Sequence, residues 1–322
     1  MSLRDQPDLS LHQSINILLD RNSIHVLYRD LLPPQIKSLN VSMNSIYSDG
    51  LITSWPNTLE SINLEDNQIV DTQIVQSWPS ALREFLIDSN PLEEMPQGLP
   101  DSLEILSMSY CCLREIPVLP SALKTLRVFY NRLKSFKVLP SRLEYCNLAH
   151  NLLTSKIFSN KLPSSLTYLN LDSNNIYWLP KNLPDSLETL IVSNNNLTSV
   201  PRVLPRNLCM LVLCNNKIKS FTVDWKSGQR IKSVFIRNNC LVENMLLQSQ
   251  IEKVYQADNW NQEVHSVASR VFQKAFRQYK LKKGMRTWKR VNRFYKEMVS
   301  VAMHPDFINR WSTVETWSQW KH

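Results

Sequence analysis

The stretch that decides the fold is Pro163-Ser-Ser-Leu166-Thr-Tyr-Leu169-Asn-Leu171-Asp-Ser-Asn174-Asn-Ile176. Its frame returns downstream as Pro184, Leu187, Leu190, Val192, Asn195, Leu197. Upstream it is found as Pro56, Leu59, Ile62, Leu64, Asn67, Ile69 and as Pro79, Leu82, Phe85, Ile87, Asn90, Leu92. The asparagine slot runs Asn44, Asn67, Asn90, Cys111, Asn131, Asn151, Asn174, Asn195, Asn216, Asn239, at spacings of 23, 23, 21, 20, 20, 23, 21, 21 and 23. Ten copies in near-constant register define a repeat array. Side chains alternate along a strand, so Leu169 and Leu171 point inward while Asn170 and Asp172 point out. Each copy then supplies one short parallel strand, and stacking buries an apolar column that a single copy could not close.

The rest of the copy follows from turn chemistry. An Asn side chain can satisfy backbone groups at the sharp turn after the strand, replacing glycine there. Glycine is in fact scarce: Gly50, Gly98, Gly228 and Gly284 are the only four in 322 residues, against seventeen prolines. No two glycines are close enough for a GxGxxG or GxxxxGK phosphate loop. Proline favours extended backbone, so the far side of each copy should be largely extended, with room for a short 3₁₀ turn in the 23-residue copies.

The frame PxxLxxLxLxxNxLxxLPxxLP, complete in its second half at Leu197-Thr-Ser-Val200-Pro201-Arg-Val-Leu204-Pro205, resembles the leucine-rich repeat, and within it the short bacterial class. That class is found in secreted effectors of pathogenic bacteria, and similar arrays occur in large DNA viruses. The resemblance spans about Pro33 to Leu241. It implies an α/β-type solenoid: a curved right-handed stack with a parallel concave β-sheet and a mostly extended convex side. Cys111 is an accepted occupant of the Asn slot in this motif. Some relatives carry a C-terminal ubiquitin-ligase domain with a catalytic cysteine; no cysteine follows Cys240 here, so that activity is not expected.

An open stack exposes its core at both ends. Residues Leu9 to Leu19 (LSLHQSINILL) have apolar positions at helical spacing and are expected to cap the first repeat within residues 1–32. Residues 33–247 then form the solenoid, closed by a degenerate copy at Ile231, Val234, Ile236 and Leu241. Residues 248–322 form a basic helical C-terminal module. Apolar residues at Val264, Val267, Ala268, Val271, Phe272, Ala275, Phe276 and Tyr279 mark one amphipathic helix, with a second after Gly284 and a third after Pro305.

Charge separates these parts. The formal net charge is +9. From Gln248 onward there are fourteen basic and six acidic residues, and between Ala268 and Lys296 eleven basic and none acidic. Within this tail Phe272, Gln273, Arg277 and Lys282 are similar to the calmodulin-binding IQ motif, with Phe for the usual Ile and Lys for the second Arg. Together with Lys283, Arg286, Lys289 and Arg290 they suit a calmodulin-like protein or a polyanion, whether nucleic acid or anionic lipid. Capping helices with solvated charges explain the same pattern.

The solenoid offers a different surface. Its outward strand positions read as an acidic set, Glu65, Asp66, Glu84 and Asp88. An aromatic-rich centre follows, Tyr110, Arg127, Phe129, Tyr130, Tyr145, His150 and Tyr168, and then Ile191, Val212, Phe235 and Arg237. Exposed aromatics with Arg are what interface hot spots are made of, so a protein partner is expected on the concave face, centred on Tyr110 to Tyr168. Rings lying flat on neighbouring repeats are the alternative. Cys146 is expected as a small buried hydrophobe, Cys214 as an outward thiol with no adjacent base. No acid/base pair, nucleophile constellation, metal cluster or cofactor loop is legible, so neither an enzyme nor a small-molecule site is expected. The six cysteines show no CxxC pair, the first ten residues carry charges in place of a signal core, and no run of eighteen apolar residues exists. The expected setting is a reducing cell interior, cytoplasm or nucleus, of a host cell if the chain is viral or secreted.

Overall fold

A computed structural model describes residues 16–224 and 231–241, and the backbone of 253–255. The chain divides into two units after Val254, and the description below concerns the first. Twelve short strands, parallel from β1 to β13, form one sheet in sequence order: β1 (Asn16–Leu18), β2 (Ser38–Asn40), β3 (Ser61–Asn63), β4 (Glu84–Leu86), β5 (Ile105–Ser107), β7 (Thr125–Arg127), β9 (Tyr145–Asn147), β10 (Tyr168–Asn170), β11 (Thr189–Ile191), β12 (Met210–Val212), β13 (Ser233–Phe235) and β14 (Lys253–Tyr255). Neighbours pair without slip, so Leu39, Ile62, Phe85, Leu106, Leu126, Cys146, Leu169, Leu190, Leu211 and Val234 line up behind the sheet. All ten are fully or almost fully buried. Each such side chain contributes about 1.5–3 kcal/mol of burial, which is why the apolar slots tolerate Leu, Ile, Val, Phe and Cys but no polar residue.

The asparagine slot works as a ladder between turns. Asn67 accepts from the Ile46 N–H of the turn before (2.9 Å) and donates to the carbonyls of Val41, Leu64 and Glu65. Asn174 repeats the pattern with Leu153, Leu148, Leu171 and Asp172. The residue just before each slot adopts a left-handed backbone: Arg21, Met43, Asp66, Ser89, Tyr110, Tyr130, His150, Ser173, Asn194, Asn215 and Asn238, all with φ between 51° and 59°. Eleven such turns number the repeats, repeat 1 ending at Asn22 and repeat 11 at Asn239.

On the far side the copies differ by length. The 23-residue copies after Asn44 and Asn151 carry 3₁₀ turns at Ser48–Gly50 and Ser155–Ser159. The copy after Asn67 has ordinary turns. The two 20-residue copies hold their extended segments in step, and these pair as a small second sheet of β6 (Glu115–Ile116) with β8 (Ser135–Phe136). Gly50 is required by contact: a Cβ there would lie 2.1 Å from the His25 carbonyl oxygen.

Two expectations are corrected. The helical spacing of residues 9–19 does not hold at its end, where Asn16–Leu18 is strand β1, in register with β2. Ile17, Leu19, Asn22 and Ile24 are a first copy of the frame, and Asn22 donates to the Leu19 and Asp20 carbonyls as the later asparagines do. At the other end β14 continues the sheet inside the stretch assigned to the helical module. The remainder of that module, residues 248–252 and 256–322, lies outside the described residues, with Phe272, Gln273, Arg277, Lys282, Lys283, Arg286, Lys289 and Arg290.

Candidate protein-binding face

The sheet face turned away from the core carries four columns of side chains, two from each strand and two from the turn after it. Arg127 belongs to a strand column, Tyr145 and Tyr168 to another, Phe129 to the third. Tyr110, Tyr130 and His150 occupy the left-handed turn and not a strand position, one residue beyond where alternation alone would end. Left-handed backbone crowds an L side chain, and Asn is among the residues that tolerate it best. Repeats 9 to 11 place Asn there. Repeats 5 to 7 place two tyrosines and a histidine.

Those three rings stack. Tyr110 and Tyr130 lie with centroids 4.7 Å apart and planes 10° apart; Tyr130 and His150 lie 3.9 Å and 8° apart. Phe129 meets Tyr110 and Tyr130 edge-on. Across the sheet Tyr145 and Tyr168 form a second stack at 4.3 Å, and the Arg127 guanidinium sits 5.6 Å from the Tyr145 ring centroid. The six aromatic residues of the expected centre are therefore brought together as two stacks, with Arg127 between them. Arg127 is exposed, Tyr110, Tyr130, Tyr145 and His150 are half-buried, and Tyr168 is buried. Burial pushes the Tyr130 hydroxyl up to about 12, helped by the Asp172 carboxylate. Tyr145 is raised by burial, against the pull of Arg127, and Tyr168 by burial and its neighbour Tyr145. All three therefore stay neutral hydrogen-bonding groups at physiological pH.

Asp172, not singled out by the sequence, ties this centre to the later repeats. It lies 3.5 Å from His150 Nε2 and accepts from Asn194 Nδ2 (2.9 Å). Asn215 donates to Asn194 Oδ1 and Asn238 to Asn215 Oδ1, so amides continue the column where the rings stop. The signal was present as Asn194-Asn195, Asn215-Asn216 and Asn238-Asn239: two consecutive asparagines, one for the slot and one for the left-handed turn.

The acidic set lies on repeats 3 and 4. Glu84 accepts from Ser61 Oγ (2.8 Å), and Asn63 Nδ2 donates to Glu65 (3.1 Å). Asp88 accepts from Ser107 Oγ (2.8 Å) and the Ser109 N–H. Its carboxyl is pushed up to about 7 by burial and by the neighbouring Glu65, outweighing those two donors. Asp66 occupies the left-handed turn.

The late part of the face differs from expectation. Ile191, Val212, Phe235 and Arg237 hold outward positions but are buried, at 1–3% exposure, and are not an open surface. Ile191, Val212 and Phe235 are direct neighbours in register, so they flank one another across adjacent strands. Cys214 holds its outward position, in the column of Phe129 and Asp172, but is buried as well, and burial raises its thiol. Cys146 is buried as expected, its thiol pushed up to about 12. Among the described residues no group of three His, Cys, Asp or Glu side chains could hold a metal ion, and no helix is long and apolar enough to cross a membrane.

Residues 186–211 match the family model of the Leucine Rich Repeat, and the solenoid is of leucine-rich-repeat type. Comparison with curated protein sequences finds no match. Among solved structures, YopM from Yersinia enterocolitica is 27% identical with a TM-score of 0.53, over 69% of this chain and 50% of that one. InlJ from Listeria monocytogenes gives 21% and 0.64, over 76% and 53%. The Toll–Spätzle complex from Drosophila gives 18% and 0.60, over 77% and 38%. The chain thus spans about half the length of the YopM and InlJ chains it matches.

Proposed function

We propose that the chain is a non-catalytic recognition module that binds a protein partner on the sheet face of repeats 5 to 8, centred on Tyr110, Arg127, Phe129, Tyr130, Tyr145, His150 and Tyr168. The single observation that carries this reading is the Tyr110–Tyr130–His150 stack. It occupies a backbone conformation for which the same chain uses asparagine in three other repeats. All eleven described repeats use this left-handed turn, and among them only repeats 5 to 7 fill it with rings, which stack on one another. Stacked, half-buried aromatics beside an exposed Arg have the composition of an interface hot spot. The fold itself is a scaffold that mediates protein–protein contact in its structural neighbours, Toll with Spätzle among them. The six cysteines carry no disulfide, which suits the reducing setting proposed for it.

The test replaces anchors with residues the same columns already use. Tyr130→Asn follows Asn194 and Asn215; Tyr145→Thr follows Thr125 and Thr189. The full chain, this double variant and Val118→Ser, an exposed residue on a connecting segment, are each used for quantitative affinity capture from cells. Proteins enriched by the full chain and by Val118→Ser but lost with the double variant identify the partner, with affinity reduced about 10- to 100-fold. A captured set indifferent to the double variant sinks the reading.

A further inference from the structure

The connecting segments on the far side of the sheet change charge part-way along the stack. Segments 45–59, 68–82, 91–103 and 112–123 carry six acidic residues and one basic, and that one, Arg114, is paired with Glu93 at 3.1 Å. Segments 132–143, 152–166, 175–187, 196–208 and 217–224 carry eleven Lys and Arg against two acids, Asp185 and Asp224. All eleven cations are exposed, and none joins an ion pair with a described residue. Four of them stand one or two residues before successive Leu-Pro steps: Lys137, Lys161, Lys181 and Arg202. In the acidic half the same places hold Gln97-Gly98 and Pro117-Val118. The grooves between segments repeat the contrast. One between Met95 and Pro120 has Asp101 as its only charge. Its counterpart between Leu183 and Val203, about 320 Å³, is lined by Lys181 and Arg206, with Asp185 accepting the Arg206 N–H at 3.1 Å.

A fixed, open ring stands among these cations. Tyr177 and Trp178 are 55% and 50% exposed. Ser155 Oγ of the preceding copy accepts both of their N–H groups and donates to the Trp178 carbonyl, each at 2.9 Å, so Trp178 lies beside Ser155-Lys156. Phe158 supports the indole, with centroids 5.9 Å apart. Unpaired cations in a row beside an exposed aromatic are how single strands are held, the phosphates by charge and the bases by stacking. In the flanking copies Tyr177 and Trp178 are matched by Thr154-Ser155 and Thr198-Ser199. The broad apolar face that insertion into a lipid surface needs is therefore missing around the ring.

We infer that the far side of repeats 7 to 10 is a second binding surface, which takes single-stranded nucleic acid. Phosphates run along Lys137, Lys161, Lys181 and Arg202, and a base lies on Trp178. Adjacent strands are about 4.8 Å apart, so the four cations cover about 14 Å, the length of about four nucleotides at roughly 3.4 Å each. This surface is separate from the Tyr110 to Tyr168 face and stands or falls without it.

The experiment uses the full chain with fluorescent oligo-dT and oligo-U, read by anisotropy over a range of salt. The basic stretch 268–296 attracts polyanions in parent and variants alike, so differences between them report on the solenoid. Lys137→Gln/Lys161→Gln/Lys181→Gln should weaken binding and lower the slope of log K against log salt by about 2. Trp178→Leu, which keeps an apolar group against Phe158, should bind about fivefold or more weakly at unchanged slope, and Trp178→Phe should stay within about twofold of the parent. Tighter binding of one oligonucleotide assigns the surface to DNA or to RNA. No binding of either, a slope indifferent to the triple variant, or equal loss in the Leu and Phe variants overturns the inference. Vesicles containing phosphatidylserine that bind the parent but not Trp178→Leu, with neither oligonucleotide competing, also overturn it and hand the surface to lipid.

Discussion

Repeats 5 to 7 and repeats 9 to 11 share one backbone and make opposite use of it. At the left-handed turn φ is 55°, 53° and 52° for Tyr110, Tyr130 and His150, and 51°, 54° and 52° for Asn194, Asn215 and Asn238. In the late repeats the side chain suits the conformation and spends its amide on its neighbours in the ladder. In the middle repeats rings stand in the same place and stack face to face. Both solutions hold the turns together, yet only one presents half-buried aromatic surface. The comparison separates what the fold needs, a residue tolerant of that turn, from what this chain adds to it.

The largest effect should come from a position both regions depend on. Asn174 receives the Leu153 N–H and donates to Leu148, Leu171 and Asp172. Asn174→Ala strands these buried backbone groups and should cost about 3–5 kcal/mol, read by chemical denaturation. Because repeats stabilise one another through neighbours, the unfolding curve should also lose cooperativity as the two flanks come apart. A loss under about 1 kcal/mol would mean that packing and not the ladder sets the register.

Two carboxylates in the same column sharpen the contrast. Asp172 is raised by burial but faces Asn194, Ser173 and His150, all of which favour its charge. Asp88 faces Glu65, and its carboxyl is pushed up to about 7. A carboxyl whose folded value lies above its unfolded value of about 3.9 binds protons preferentially in the native state. Its contribution to stability is complete below pH 4 and is lost as pH rises through 7. Asp88→Asn removes that dependence, so between pH 4 and pH 8 the variant should gain up to about 4 kcal/mol relative to the parent. A parallel pair of stability–pH curves would show that the Asp88 carboxyl is ionised across this range.

Much of this was legible in the sequence. The period, the inward Leu169 and Leu171, the Asn slot and the pairing of strands follow from spacing, because one apolar column must be continuous for any repeat to bury its face. The gathering of Tyr110, Tyr130, Tyr145, His150 and Tyr168 followed from the same register. The first repeat was missed because Leu9 to Leu19 satisfies a helical spacing as well as Ile17-x-Leu19-x-x-Asn22 satisfies the repeat, and no proline marks it. The left-handed column was missed because φ leaves no trace in an apolar pattern. The burial of Ile191, Val212 and Phe235 could not be read from alternation, which assigns a face and not its accessibility.

The reciprocal exchange tests the comparison from the other side. Asn215→Tyr places a ring where the chain has an amide, breaking the hydrogen bonds to Asn194 and from Asn238. With the crowding of a left-handed tyrosine it should cost about 1 kcal/mol, whereas Tyr130→Asn should leave stability within about 1 kcal/mol while weakening partner capture. A costly Tyr130→Asn would mean that the stack is there to hold the fold.

The smallest expected effect concerns the slot beside Tyr110. Cys111 is the one ladder position from Asn44 to Asn239 without a carboxamide; its thiol reaches the Ile87 and Ser109 carbonyls at 3.8 and 3.5 Å. A thiol gives one weak donor and no oxygen for the N–H of Leu92, whose equivalents Ile69 and Leu113 are satisfied by Asn90 and Asn131. Cys111→Asn should therefore restore the bond and raise stability by about 0.5–1 kcal/mol, measured as a shift in denaturation midpoint at unchanged slope. Pro91 stands between the slot and Leu92 in the preceding repeat and fixes that segment's backbone. If the midpoint falls instead, the proline has set the Leu92 N–H out of reach of a carboxamide, and cysteine is there because it fills the space without demanding the bond.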